Sequence, residues 1–235
     1  MRGTEVRIWV DEFDFSSSTS QVELTFEIGE AERTSLASAA QEFVPLLPKC
    51  TVTQNGYFEG VLPDGFEAEL SARFAAGQAI ITVLTQNSDA DCVAYVLPDA
   101  TNYSMAFGAP VAGLVTLNGQ WGAAAGAVRG RRVFDGIFDA VESGAAIDFG
   151  AGVATGAQAF LHVASITGAA TNAEIRVESS ADALIWANEG SFIFSAIGSY
   201  SLALSGTVDR YVRLSCANLG GATAIRCMGV VSLNV

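Results

Sequence analysis

Residues 207–216, TVDRYVRLSC, place Val208, Arg210, Val212, Leu214 and Cys216 on one side of an extended chain and Asp209, Tyr211, Arg213 and Ser215 on the other. A period of two over ten residues requires a strand with one buried and one partly solvated face. Such a strand needs partners, and AQAFLHVASI (157–166), AEIRVES (173–179) and TAIRCMGVVSLNV (223–235) supply candidates rich in β-branched and aromatic residues and bounded by turn formers. FIFSAI (192–197) and YSLALSG (200–206) add two more strands with turns between them. The region from Ser143 onward therefore reads as a β-sandwich.

The first part is also β-rich, but more acidic. EVRIWV (5–10) and QVELTFEIG (21–29) alternate apolar and polar residues, the second with Val22, Leu24, Phe26 and Ile28 opposite Glu23, Thr25 and Glu27. Between Glu30 and Lys49 the period is weak, and either a helical turn ended by Pro45 and Pro48 or an extended arm fits. Asn55-Gly56 in CTVTQNGYFEGVL signals a hairpin turn, although one long strand with a bulge accepts Gly56 as well. Within QNGYFEG, alternation puts one of Tyr57 and Phe58 inward and the other outward. Phe66, Leu70 and Phe74 at i, i+4 and i+8, with Gly77 as the stop, mark one helix over 63–78. Further strands are expected at 79–86, 91–98 and 102–107. The reading is an all-β chain with one short helix, divided into a domain over 1–142 and a second over 143–235.

Charge supports a division at that point. Up to Glu142 there are 19 acidic and 8 basic residues, net −11; from Ser143 there are 6 and 4, net −2. With a single lysine, Lys49, and an overall charge of −13, the surface does not suit gripping a nucleic acid, which requires Lys and Arg to neutralise phosphates. Charged residues make up 16% of the chain, against about 25% in ordinary soluble domains. Such a sparingly charged surface is expected where copies of the chain cover one another.

Few residues offer chemistry. Cys50, Cys92, Cys216 and Cys227 match no zinc or CxxC spacing, and free buried thiols are expected, a Cys216–Cys227 bridge being the alternative. His162, the single histidine, has no orienting carboxylate and nucleophile placed for it by sequence, and reads as an ordinary strand residue. Asp11, Glu12 and Asp14, and Asp89 with Asp91, lack calcium-loop spacing and read as solvated turn acids. GAAAGAVRG lacks the lysine and hydroxyl of a phosphate loop. No enzyme activity, metal or cofactor is expected. The basic cluster RGRR suits either a phosphate contact or pairing with carboxylates of a neighbouring subunit, and Arg129, Arg131 and Arg132 are taken as candidates for the subunit contact. MRGTEVRIWV runs directly into a strand and no apolar run of membrane-spanning length follows, so synthesis in a cytoplasm and no membrane partner are expected.

AFLHVASITG (159–168), AEIRVESSADALIWANEGSFIF (173–194) and SGTVDRYVRLSCANLGGATAIRCMGVVSL (205–233) together resemble the carboxy-terminal module of tail tube proteins of long-tailed bacteriophages. The acidic opening strands and the QNGYFEG element (54–60) before a helix agree in outline with the first half of that family. The resemblance implies a tail-tube-like β-sandwich or barrel followed by a β-sandwich module. It also implies self-association in rings, commonly of six, stacked into a tube in the phage virion, with other tail proteins at its ends. Genomic DNA would pass through without specific binding. Glu5, Glu23 and Glu27 are then candidates for the wall of the bore, where like charge repels DNA. The alternative reading is a capsid decoration or head-to-tail joining protein.

Overall fold

The computed structural model describes residues 5–33, 43–57, 66–74, 77–109, 113–123 and 126–233. The protein is all-β with one short helix. Its strands are β1 (Arg7–Val10), β2 (Phe13–Asp14), β3 (Thr19–Glu32), β4 (Phe43–Tyr57), β5 (Ala79–Leu84), β6 (Val93–Gly108), β7 (Thr116–Ala123) and β8 (Val128–Phe138). They continue as β9 (Ile147–Asp148), β10 (Gln158–Thr167), β11 (Ala173–Ser180), β12 (Ala187–Phe194), β13 (Gly198–Ala203), β14 (Tyr211–Asn218) and β15 (Ala224–Ser232); the helix α1 is Phe66–Arg73.

Two compact units form. One comprises Met1–Ser17, Ile80–Val96 and Val128–Val235, the other Ser18–Ala79 and Leu97–Ala127. This partition differs from the single boundary at 142/143 that the fall in charge suggested. The reason is strand pairing: β15, at the C-terminus, lies between β10 and β8, so a cut at 142/143 would strip β15 of one neighbour. Charge density follows the surface, whereas unit boundaries follow hydrogen-bonded ladders, and here the two diverge.

In the first unit, β13-β10-β15-β8 continues through the opening residues of β6 into β5, β1 and β2, and a second sheet has the order β12-β11-β14-β9. The strands β10 and β15 are buried on both faces. Leu161, Val163, Cys227 and Val231 pack with Ile175, Val177, Phe192, Val212 and Leu214 of the second sheet. Their alternates Phe160, Met228 and Val230 pack with Trp9, Ile80, Leu84 and Val96, so the long sheet rolls over itself and makes a second core. Each such burial stabilises by about 1.5–3 kcal/mol relative to exposure. Gly229 is required where β15 meets β14, because a Cβ there would lie 2.3 Å from Leu214 Cδ1. The TVDRYVRLSC stretch forms its strand from Tyr211, with Val212, Leu214 and Cys216 buried. Arg210 departs from that face: it stands at the strand's start and pairs bidentately with Asp148 at 2.6 and 2.5 Å.

In the second unit, β3, β4, β7 and the part of β6 from Leu97 form an antiparallel sheet in that order. Cys50, Val52, Leu117, Trp121 and Ala100 line its buried face. On that face Leu70 of α1 seats over Gly119, where a Cβ would lie 2.9 Å from Leu70 Cδ1. Of the expected apolar stripe of α1, Leu70 is buried and Phe74 is exposed.

Three local expectations are resolved by pairing. Asn55-Gly56 makes no turn: both residues lie inside β4, laddered to β3 on one side and to Asn118 and Leu117 of β7 on the other. Pro45 and Pro48 end no helix but sit in β4 ahead of Cys50, which faces the last residue of β7, Ala123, so among the described residues β3 is the only ladder there and a missing N–H is tolerated. The strands expected at 91–98 and 102–107 are one, and Pro98 falls between the ladder to β8, ending at Val96, and the ladder to β7, starting at Ala100. Tyr57 is exposed; Phe58 lies outside the described residues, as does 34–42.

Candidate assembly surface

The sheet of the second unit has two unlike faces because its strands alternate. Opposite the buried face stand Gln21, Glu23, Thr25 and Glu27 of β3, beside Asn55, Thr53, Thr51 and Lys49 of β4 in direct register. Gln120 and Asn118 of β7 continue these rows. The result is a hydroxyl- and amide-covered surface carrying a few charges. Glu23 and Glu27 share it and are exposed, and Lys49 lies directly across from Glu27. Glu5 is not part of this sheet. It precedes β1 in the first unit, where its carbonyl accepts the Asn87 N–H at 2.7 Å.

Among the described strands, both edges of this sheet carry no further partner over long stretches. The 14-residue strand β3 pairs with β4 alone among the described strands, and from Ser104 to Gly108 β6 pairs with β7 alone. The edge of a sheet is a template for another strand. The outer end of the β3–β4 pair is also apolar where water reaches it, with Ile28 67% and Phe43 53% exposed. Neither property was separable in the sequence, where the apolar residues of 21–28 read as core-facing.

The arginines of RGRR part company. Arg129 is exposed on β8. Arg131 pairs with Asp91 at 3.2 Å, donates to the Asp148 carbonyl at 2.9 Å and lies 5.5 Å from the Phe149 ring centroid. Arg132 is 7% exposed and is used within its own chain. Its guanidinium donates to the carbonyls of Asp89 (2.6 Å), Asn87 (3.2 Å) and Ala90 (3.3 Å) and to the Asn87 side chain, and it pairs with Asp135 at 3.3 Å. It pins the turn between β5 and β6 and has no donor left for a neighbouring subunit.

Two residues read as unremarkable in the sequence are structural centres. Asp11, expected to be a solvated turn acid, is 6% exposed with φ 48°, and its Oδ1 accepts the Ile80 N–H at 2.8 Å and the Ser199 hydroxyl. His162 is fully buried: Nδ1–H donates to the Asp11 carbonyl at 2.6 Å and Nε2 accepts from the Thr82 hydroxyl at 2.7 Å. Burial holds its pKa down to about 4, against the weaker upward pull of Asp11. The imidazole is neutral and closed off by its partners, which is a bracing arrangement and not a nucleophilic one. All four cysteines are free and buried.

No protein-family model matches the sequence, and no curated protein does. Among solved structures, the chain is similar to one from the virion of a native gene transfer agent particle, at 15% identity over 54% of this chain and 96% of that one, with a TM-score of 0.39. It is similar to the sheath/tube terminator of an extracellular contractile injection system, at 10% identity over 55% and 95%, with a TM-score of 0.42. The Dit protein of phage SPP1, described as a hub adsorption apparatus of phages infecting Gram-positive hosts, is similar at 10% identity over 97% of this chain and 98% of its own, with a TM-score of 0.36.

Proposed function

We propose that the chain is a structural protein of a phage tail, resident in the virion after synthesis in the host cytoplasm, whose copies close into rings that stack into a tube for DNA. The observation that carries this reading is the second unit's sheet, with two edges that no other described strand covers, one polar face and apolar residues exposed at one end. Because β3 and β6 lie at opposite edges of β3-β4-β7-β6 and run antiparallel, β3 of one copy fits beside β6 of the next as an ordinary antiparallel pair. That contact is heterologous and propagates around a ring. Six copies is the number the sequence resemblance implies.

In such a ring the face bearing Gln21, Glu23, Thr25, Thr51, Thr53 and Gln120 lines the bore. DNA carries one charge about every 1.7 Å of duplex, so even a weak contact repeated along a tube would sum to a strong hold. A wall of hydroxyls and amides with Glu23 and Glu27 on it gives the polymer nothing to bind, and Lys49 is offset by Glu27 opposite. The arginines Arg131 and Arg132, which would disturb such a wall, are engaged by carboxylates and carbonyls of their own chain.

Ile28→Glu tests the contact. With Ile28 already 67% exposed, the unassembled chain should keep its melting point, an exposed substitution costing within about 0.5 kcal/mol. Negative-stain micrographs should lose the rings and tubes that the parent forms. Tubes that persist unchanged in the variant would remove β3 from the contact, and a parent that stays monomeric at every concentration and salt would leave decoration or joining of another assembly as the better reading.

A further inference from the structure

The second sheet of the first unit turns an outer face to solvent that is unlike an ordinary strand exterior. Its charged side chains are tied to one another in fixed positions. Arg176 donates through Nε to Glu174 at 2.8 Å, Ser191 donates to the same carboxylate at 2.9 Å, and Arg213 and Ser215 donate to Glu178 at 2.7 and 3.1 Å. Beside this lattice runs the segment 142–144, pinned along β14 by the Cys216 N–H to the Glu142 carbonyl and the Gly144 N–H to the Leu214 carbonyl, each at 2.8 Å. Gly144 permits that approach, since a Cβ would lie 2.8 Å from the Phe134 ring. Between the pinned segment and Arg176 is a groove of about 240 Å³, floored by Ser215 and Ala217 and walled by Val141, Glu142, Ser143 and Arg176.

The groove's chemistry selects its occupant. Among the described residues Arg176 uses only Nε, on Glu174, which leaves the terminal amino groups of a guanidinium held in place as donors. Ser143 and Ser215 carry hydroxyls, Glu142 an exposed carboxylate that accepts only, and Val141 an exposed apolar rim. Donors and acceptors share a small volume with an apolar edge. A pyranose presents the same mixture, each hydroxyl both donating and accepting and the ring carbons offering an apolar side. An anion gains from Arg176 but meets Glu142, and an apolar ligand would strand every polar group present. We propose that this groove binds a neutral carbohydrate, with Arg176 and Glu142 as its orienting donor and acceptor.

Saturation-transfer difference NMR on the full chain, which tolerates an assembled sample, reads this directly. The probes are the methyl glycosides of glucose, galactose, N-acetylglucosamine and rhamnose, with glucuronate and inorganic phosphate as anionic comparators. At least one neutral glycoside should receive saturation, and Arg176→Ala and Glu142→Ala should each weaken it about tenfold, the loss of one charge-assisted hydrogen bond. Leu184→Ala, on an exposed turn elsewhere, should leave it unchanged. If Arg176→Ala lowers the melting point, Glu142→Ala carries the test, since its backbone bond to Cys216 does not depend on the side chain. No transfer to any neutral glycoside, transfer indifferent to both groove variants, or preference for glucuronate or phosphate would each overturn the assignment.

Discussion

Replacing Asp135 by alanine is expected to destabilise the folded chain by about 3–5 kcal/mol, the cost of leaving buried charge without its partner. Asp135 stands within reach of three arginines: Arg226 at 2.5 Å, Arg132 at 3.3 Å and Arg7 at 3.6 Å, with its own side chain 12% exposed. The contact with Arg226 is the closest of the three ion pairs. Without the carboxylate, Arg132 keeps its carbonyl acceptors but loses its counter-charge while 7% exposed. Urea unfolding of Asp135→Ala beside Arg226→Ala separates the cases. The alanine at 135 should cost several times more than the one at 226, because Arg226 is partly solvated and Arg132 is not. A loss below about 1 kcal/mol, typical of a surface bridge, would mean that solvent replaces Asp135.

The second large effect is a dependence on pH carried by one residue. The folded His162 titrates at about 4 because burial disfavours the imidazolium, while the unfolded side chain has the ordinary 6.5. Above pH 6.5 both states hold the neutral ring and stability is complete. As the pH falls from 6.5 toward 4, the unfolded chain takes a proton that the folded chain refuses, and stability falls by about 3 kcal/mol in total. His162→Gln should be less stable at pH 7, because it loses packing against Trp9, 5.9 Å away, and one of two hydrogen bonds. Across that pH window its stability should fall less steeply than the parent's, by about 1.4 kcal/mol per pH unit at most. Parallel slopes for the two proteins would show that His162 is solvated or charged in the folded state.

What the sequence disclosed divides along the range of the interactions. Strands whose identity rests on alternation, such as β10, β11 and β14, and the helix around Leu70, are written locally and were legible, as was the all-β class. Asn55-Gly56 misled because its turn propensity is a local preference worth less than two ladders, and β4's neighbours are supplied by residues 19–32 and 116–123. The role of His162 was illegible for a sharper reason: its partners Asp11 and Thr82 lie 151 and 80 positions away. RGRR looked like one basic patch, yet its members differ because Gly130 and the alternation of β8 send Arg131 and Arg132 to opposite sides of the strand, one to the rim and one inward. That Glu23 and Glu27 share one face of β3 was legible from their spacing, whereas the hydroxyls and amides beside them gave no signal until β4 and β7 were laid beside β3.

In the proposed tube, the sheet β3-β4-β7-β6 of one copy joins that of the next edge to edge and presents its polar face to a bore. An electron cryo-microscopy map of the assembled protein measures this. The expected map has β3 running antiparallel to β6 of the neighbouring copy at the strand spacing of about 4.8 Å, with Glu23, Thr53 and Gln120 facing the axis. A map in which β3 borders solvent and Glu23 and Glu27 point away from the axis would contradict it.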